Sequence, residues 1–418
     1  MNRAPRELNL TRRELLTQTA NVAGAVVIAG LPALKVTEPL EKPAPEASPQ
    51  QGSTPGAPTS AVGTRAPTVH PTRTPVGEVT GSSLTPHQDL TGTITPADLH
   101  FERHHAGIPP LDPERHTLTV HGRVQRPLVF TVADLKRFPP VTRTHFIECS
   151  GNGRNAYRDP KPNMTAQSVA GLTSNTEWTG VALKALLEEA GAMPDATWFL
   201  AEGGDACLLT RSIPIAKALD DALVVWAQNG EPLRPAQGFP VRLLLPGWEG
   251  SANVKWLRRI KLGRRPWMTR WETSKYTDPL PDGTARQFSF EMDAKSIITS
   301  PSATGVLSRG ACPITGLAWS GRGKITRVEV SVDGGASWLD ATLAEPVLPK
   351  AHTRFFTMWD WNGRGAVLLS RATDETGYVQ PTRGRLIQVR GPGTDYHFNQ
   401  IVGWRVDSDG RVTFEGLT

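Results

Sequence analysis

Cys149 closes the short apolar run Thr144-His145-Phe146-Ile147-Glu148, and the chain then breaks into Ser150-Gly151-Asn152-Gly153-Arg154. Gly151 and Gly153 permit a tight turn, with backbone approaching whatever the sulfur faces. Arg154, shortly after the thiol, supplies fixed positive charge that can stabilise a thiolate or hold an anion. Alone, the stretch allows a nucleophilic cysteine, a metal-ligand cysteine or a buried structural one, since free cysteine is among the most buried residue types. Cys207 and Cys312 stand far from it, form no CxxC pair and read as structural. His104-His105, with His116 and His121 nearby, raise a histidine metal site, but their spacing matches no zinc template. Arg242 and Lys255 are candidate anion binders, with surface charge as the alternative.

Elements must position these groups, and the chain divides visibly. Thr11-Arg12-Arg13-Glu14-Leu15-Leu16 followed by the apolar stretch Ala20 to Leu34 is a twin-arginine export pattern, assigned to residues 1–35. Such export moves folded proteins, often with a cofactor already inserted, so a periplasmic or extracytoplasmic location is expected. Residues 36–80 carry nine prolines among Ala, Ser, Thr and Gln, too little apolar surface for a core, and read as a disordered linker. The 418 residues leave room for two domains beyond it. The net charge of +6 is spread along the chain and not clustered with aromatics, which argues against nucleic acid.

Thr117 to Gly122 alternates as a strand does, Thr131 to Leu135 opens a short helix ended by Pro139-Pro140, and Asn155 to Asn175 reads as polar and irregular. Leu183 to Gly191 has a leucine stripe and a glycine stop, predicting a helix. Trp198–Leu200, Leu223–Trp226 and Pro240–Pro246 read as strands. From about Ser296 the texture changes to short strands at hairpin spacing: Thr315–Gly321, Ile325–Val332, Arg354–Trp361, Ala366–Ala372 and Leu386–Val389. Asp333-Gly334-Gly335 forms a turn among them, and the series is that of a β-sandwich.

Several segments resemble the sulfite oxidase family of molybdenum enzymes. They are Phe101-Glu102-Arg103-His104-His105, Ile147-Glu148-Cys149-Ser150-Gly151-Asn152, Glu177-Trp178-Thr179-Gly180-Val181, Gly238-Phe239-Pro240-Val241-Arg242 and Val254-Lys255-Trp256-Leu257. Val330-Ser331-Val332-Asp333-Gly334-Gly335 with Trp338 resembles the family's dimerisation domain. Arg-His-His near the start, Trp319-Ser320-Gly321-Arg322-Gly323-Lys324 and Asp374-Glu375-Thr376-Gly377-Tyr378 look most like its sulfane dehydrogenase branch. The resemblance implies an α+β fold: a molybdopterin-binding domain over 81–290, then an all-β, immunoglobulin-like sandwich over 291–418 that pairs two chains.

It further implies one molybdopterin-bound molybdenum per chain, with Cys149 as its protein thiolate ligand, a soft ligand suited to such a metal. No haem is expected, since no CxxCH occurs. His105, Asp205, Arg242, Asn253 and Lys255 match positions that hold the cofactor. Arg103, Arg154 and Arg390 match anion-binding arginines, and Trp178 matches an aromatic wall of the substrate pocket. Trp226 stands where the family usually has tyrosine, and Gln237 where it has a cofactor-binding histidine. Neither replacement can titrate in the usual range.

The implied chemistry is oxygen-atom transfer to sulfur, with electrons leaving to a c-type cytochrome subunit. Two substrates compete: sulfane or thiosulfonate sulfur on a sulfur-carrier protein, which the branch likeness favours, and free sulfite. A methionine-repair enzyme of the same superfamily would lack residues 296–418. A cofactor-free secreted binding protein would make the cysteine, arginines and export pattern coincidences.

Overall fold

Burial along the strand Val141–Glu148 rises from a partly exposed start to three consecutive buried residues, Phe146, Ile147 and Glu148. That gradient fixes where Cys149 stands, because a strand covered on both faces at its end can deliver the next residue only into the interior. The computed structural model describes residues 58–280, 282–303 and 305–417. The twin-arginine motif, the stretch Ala20 to Leu34 and the first part of the expected linker lie outside them.

Val141–Glu148 pairs antiparallel with Thr173–Ala182, which pairs with Leu223–Gln228, and that strand also carries Arg242–Leu244. A second sheet runs in the order Leu128–Thr131, Thr117–Gly122, Leu257–Gly263, Trp198–Gly203, Thr210–Pro214, with one parallel pairing, between Leu257–Gly263 and Thr117–Gly122. The helix Leu183–Glu189 buries Leu183, Leu186 and Leu187 in the core these strands share. It is too short to stand alone. Its three leucines, each contributing roughly 1.5–3 kcal/mol by burial, hold it in place. Val132–Leu135 is helical as expected, closed by a reciprocal cap between Thr131 and Asp134.

The C-terminal part is the expected sandwich. One sheet runs Lys295–Ser300, Gly310–Trp319, Thr353–Trp361, Thr342–Leu343; the other runs Leu339–Asp340, Ile325–Ser331, Ala366–Asp374, Val402–Val406, Val412–Leu417. Trp319, Phe355, Leu368 and Trp404 fill the space between them. The same cluster takes in Phe146, Ala156, Met164 and Val169, so the two parts share a core. Their backbones also touch: a Cβ on Gly321 would lie 1.9 Å from the Gly247 carbonyl oxygen, so only glycine fits there.

Three expectations need correction. Thr74–Gly77 is a strand inside the stretch read as linker, ordered because it extends a sheet through Gly81–Leu84 to Glu102–His104. The stretch read as irregular contains the helices Arg154–Arg158 and Ala166–Ala170, the second closed by a reciprocal cap between Thr165 and Ser168. Leu386–Val389 is not a strand but part of the helix Arg383–Arg390, whose first turn is capped by Thr382.

Candidate active site

The loop carrying Cys149 is fastened on several sides. The Cys149 amide donates to the Leu172 carbonyl at 2.9 Å, and the Asn152 amide donates to the Cys149 carbonyl at 2.8 Å. Gly153 turns the chain at φ 95°, and a Cβ there would meet Phe398 at 3.2 Å. Beneath the loop the buried Glu148 carboxylate accepts from Asn152 Nδ2 at 2.8 Å, Lys295 Nζ at 3.0 Å and Trp319 Nε1 at 2.6 Å. A carboxylate with three donors is well compensated for its burial. Two of those donors come from the sandwich.

Two cavities meet at the thiol. The first is lined by Lys255, Arg242, Gln237, Asp205 and Asn253 among others. The second, the wider of the two, adds Arg154, Ser168, Cys207, Lys275 and Tyr396. Arg103, His105, Cys149 and Tyr276 line both. Burial pushes the Cys149 thiol above its ordinary pKa, opposed by the Gly151 amide and the fields of Arg103 and Arg154. The resting group is therefore a thiol at neutral pH, and coordination to a metal is what would deprotonate it.

Around it the hydrogen bonds fix tautomers. Arg103 can only donate, so at 3.4 Å its Nη2 makes His105 Nδ1 the acceptor. The His105 proton then sits on Nε2 and is given to the Tyr276 hydroxyl at 2.7 Å. Burial first, then the Arg103 charge, lowers His105 to about 4, so the ring is neutral. The Tyr276 O–H, accepting from His105, keeps its own proton for a ligand, and burial holds that phenol well above its usual pKa. Lys255 Nζ donates to His104 Nδ1 at 2.8 Å, the Ala236 carbonyl at 3.0 Å and the Arg103 carbonyl at 3.2 Å. Burial pulls its pKa well down.

The first cavity suits a polar heterocycle bearing an anionic group. Arg242 gives Nη1 to the Gln237 carbonyl and Nη2 to the Asn253 carbonyl, each at 3.0 Å, but its buried Nε has no partner among the described residues. His100 donates through Nδ1 to the Phe101 carbonyl at 3.0 Å, which leaves buried Nε2 an unpaired acceptor. One unused donor, one unused acceptor and the cationic lining match the needs of a phosphate-bearing pterin. Gln237, in place of the expected histidine, spends its amide on the Phe101 carbonyl at 2.8 Å. Asp205 accepts from the Cys207 thiol at 2.9 Å and the Leu209 amide at 3.1 Å, and Asn253 closes the turn at Trp248 and Glu249.

Arg103, Arg154, His105, Asp205, Arg242, Asn253 and Lys255 thus gather around Cys149 as the sequence implied, and three expected residues do not. Trp178 is fully buried on the core side of its strand, donating its indole N–H to the His145 carbonyl at 3.0 Å. It lies behind Arg242, 5.2 Å from ring centre to guanidinium, and lines neither cavity. Trp226 sits at a bulge between Val225 and Ala227, packed against the core and outside both cavities. Arg390 ends the helix Arg383–Arg390 and pairs with Asp293 at 3.0 Å in a separate cleft. Sequence reading missed Tyr276, Ser168 and Tyr396. Tyr276 follows a one-turn helix, Arg270–Thr273, with φ 51° and no motif around it; being one of only four tyrosines was its single signal.

Residues 105–271 match the family model of the oxidoreductase molybdopterin binding domain, and residues 286–403 that of the Mo-co oxidoreductase dimerisation domain. Mitochondrial sulfite oxidase of Mus musculus is 32% identical over 314 residues, 69% of this chain and 58% of that protein. The NADH nitrate reductase of Solanum lycopersicum is 33% identical over 336 residues, 70% of this chain and 36% of that protein. The chain therefore spans well under two thirds of either relative. The crystal structure of the sulfane dehydrogenase SoxCD from Paracoccus pantotrophus superposes with a TM-score of 0.84 at 44% identity, covering 88% of this chain and 97% of that one.

Proposed function

The chain belongs to the sulfite oxidase family of molybdopterin-binding oxidoreductases, and from that we propose that it oxidises sulfane or thiosulfonate sulfur held on a carrier protein, passing electrons to a c-type cytochrome. The observation that carries this reading is the junction of the two cavities at Cys149, Arg103, His105 and Tyr276. The first cavity offers the donors and acceptor for one molybdopterin per chain, with Cys149 as the protein's ligand to the metal. When bound, that centre supplies two-electron redox chemistry and oxygen-atom transfer to sulfur.

The chain's own residues do the rest. Arg103 and Arg154 hold an anionic sulfur group by charge-assisted hydrogen bonds. Arg154 is braced for this by the Asp395 carbonyl, which accepts its Nη2 at 2.7 Å. The Tyr276 hydroxyl donates to the same group or to the product. The second cavity runs from Cys149 out to the surface, its lining reaching the exposed Asn155 and Lys275. That reach suits sulfur delivered on a polypeptide arm.

Free sulfite is the second reading, favoured by the Arg103 and Arg154 pair, which would grip a small dianion equally well. Turnover of purified protein is compared on sulfite and on a thiosulfonate-loaded carrier, with cytochrome c as acceptor. Higher kcat/KM on the carrier supports the first reading, and turnover of sulfite alone replaces it with the second. The protein acts outside the cytoplasm, exported by the Arg12-Arg13 signal; Arg12→Lys with Arg13→Lys should leave it inside the cell, and unchanged export would refute this. It pairs through the sandwich, where Phe356 and Met358 stand exposed on one face of the strand Thr353–Trp361. A monomer mass by light scattering at micromolar concentration would contradict that pairing.

A further inference from the structure

Beside the helix Arg383–Arg390 lies a cleft that shares no lining residue with either cavity at Cys149. Four arginines line it, Arg286, Arg322, Arg385 and Arg390, against one carboxylate, Asp293. Two of the four share that carboxylate: Arg322 Nη2 donates to Oδ1 at 2.7 Å and Arg390 Nη2 to Oδ2 at 3.0 Å. Arg286 gives Nη2 to the Val389 carbonyl at 2.7 Å, and Arg385 gives Nη1 to Gln388 at 3.1 Å, neither being a charged partner. Arg322 also lies over the Tyr378 ring at 4.9 Å, and Glu291 adds its field there.

Charge does not balance inside this cleft. The end of the helix contributes only about half a negative charge through its last carbonyls. The Arg390 side chain is 10% exposed, and its Nη1 is buried with no hydrogen-bond partner among the described residues. A buried guanidinium with half a carboxylate as counter-charge and an unused donor is costly, and a bound anion would relieve both faults. Guanidinium forks match the oxygens of a tetrahedral oxyanion.

We infer that this cleft binds a free divalent oxyanion of the sulfate class, with Arg390 Nη1 as its buried donor and Arg322 and Arg385 at its mouth. Oxyanions of that class are what sulfur oxidation yields, but the inference rests on the cleft alone and stands whatever Cys149 holds.

Two measurements on the full chain test it. Crystals soaked in selenate should show anomalous density within hydrogen-bond reach of Arg390 Nη1, retained in Arg154→Gln. Calorimetric titration with sulfate at constant ionic strength should show affinity weakened about tenfold or more in Arg390→Gln. In Arg385→Gln, at an exposed position, the loss should be roughly two- to fivefold. Were Arg390→Gln to misfold, Arg385→Gln decides. No selenate in the cleft at saturation, selenate only beside Cys149, or an acidic side chain of a second copy filling the cleft would each overturn the inference. So would density in crystals without sulfate affinity in solution.

Discussion

Trp319, the last residue of its sandwich strand, donates its indole N–H to the Glu148 carboxylate at 2.6 Å, and Glu148 is the residue immediately before Cys149. Lys295, on a neighbouring strand of the same sheet, holds the other carboxylate oxygen at 3.0 Å. The C-terminal part therefore fixes the position of the thiol. All three groups are buried, so the contacts act in a medium where losing one is expensive.

Glu148→Gln removes the counter-charge of Lys295 and leaves an ammonium buried. Breaking such a pair costs roughly 3–5 kcal/mol. The expected result is a clearly lowered Tm and loss of bound molybdenum, read by calorimetry and metal analysis. A Tm within a degree or two of the wild type would show that the clamp contributes little.

Tyr276→Phe deletes the acceptor of the His105 Nε2 proton and the free O–H together. Molybdenum content should stay near the wild-type value while kcat falls roughly 10²-fold, the usual scale for a lost proton donor. Unchanged kcat on both sulfur substrates would remove Tyr276 from the chemistry.

Trp226→Phe should leave kcat and KM unchanged, because its ring touches neither cavity. Trp178→Phe should lower stability by about 1–3 kcal/mol, since the His145 carbonyl loses its buried donor, without changing substrate specificity. A selective rise in KM for Trp178→Phe would restore the wall role that the resemblance implied, and one for Trp226→Phe would return that ring to the site.

These tryptophans show where the sequence stopped being legible. Cys149, Arg103, His105 and Lys255 were placed through the family motifs that carry them; by residue type and spacing alone Cys149 stood open among three roles and Lys255 against surface charge. Trp178 was not readable, because Thr173–Ala182 is covered on both faces over most of its length and alternation no longer says which side meets the cavity. Arg390 was placed at the site by the likeness of Val389-Arg390-Gly391 to the family's third anion-binding arginine, while the short apolar run Leu386–Val389 before it suits strand and helix alike. The Thr382 cap, its side chain accepting from the Arg385 amide at 3.3 Å, decided for helix and carried Arg390 into its own cleft. Tyr276 reaches the site only through tertiary packing, for which no local pattern exists.

Stability should fall on acidification. Burial lowers His87 to about 4 and His100 to about 3, against an ordinary value near 6.5. Below pH 6.5 the unfolded chain binds protons at these rings, while the folded chain does so only near 4 and 3. Folding stability is therefore complete above about pH 6.5 and is lost as pH falls towards those values, by on the order of 3 kcal/mol per ring. Urea unfolding at pH 7.5 and pH 5 measures it; equal stability at the two would mean that these rings take up no protons on unfolding.

X-ray absorption at the molybdenum edge can show whether Cys149 is the protein's ligand to a molybdenum centre. Purified wild-type protein should hold close to one molybdenum per chain in a sulfur-rich shell, and Cys149→Ser should lose one sulfur from that shell if metal remains at all. Wild-type protein without molybdenum, or an unchanged sulfur count in Cys149→Ser, would show that Cys149 holds no molybdenum.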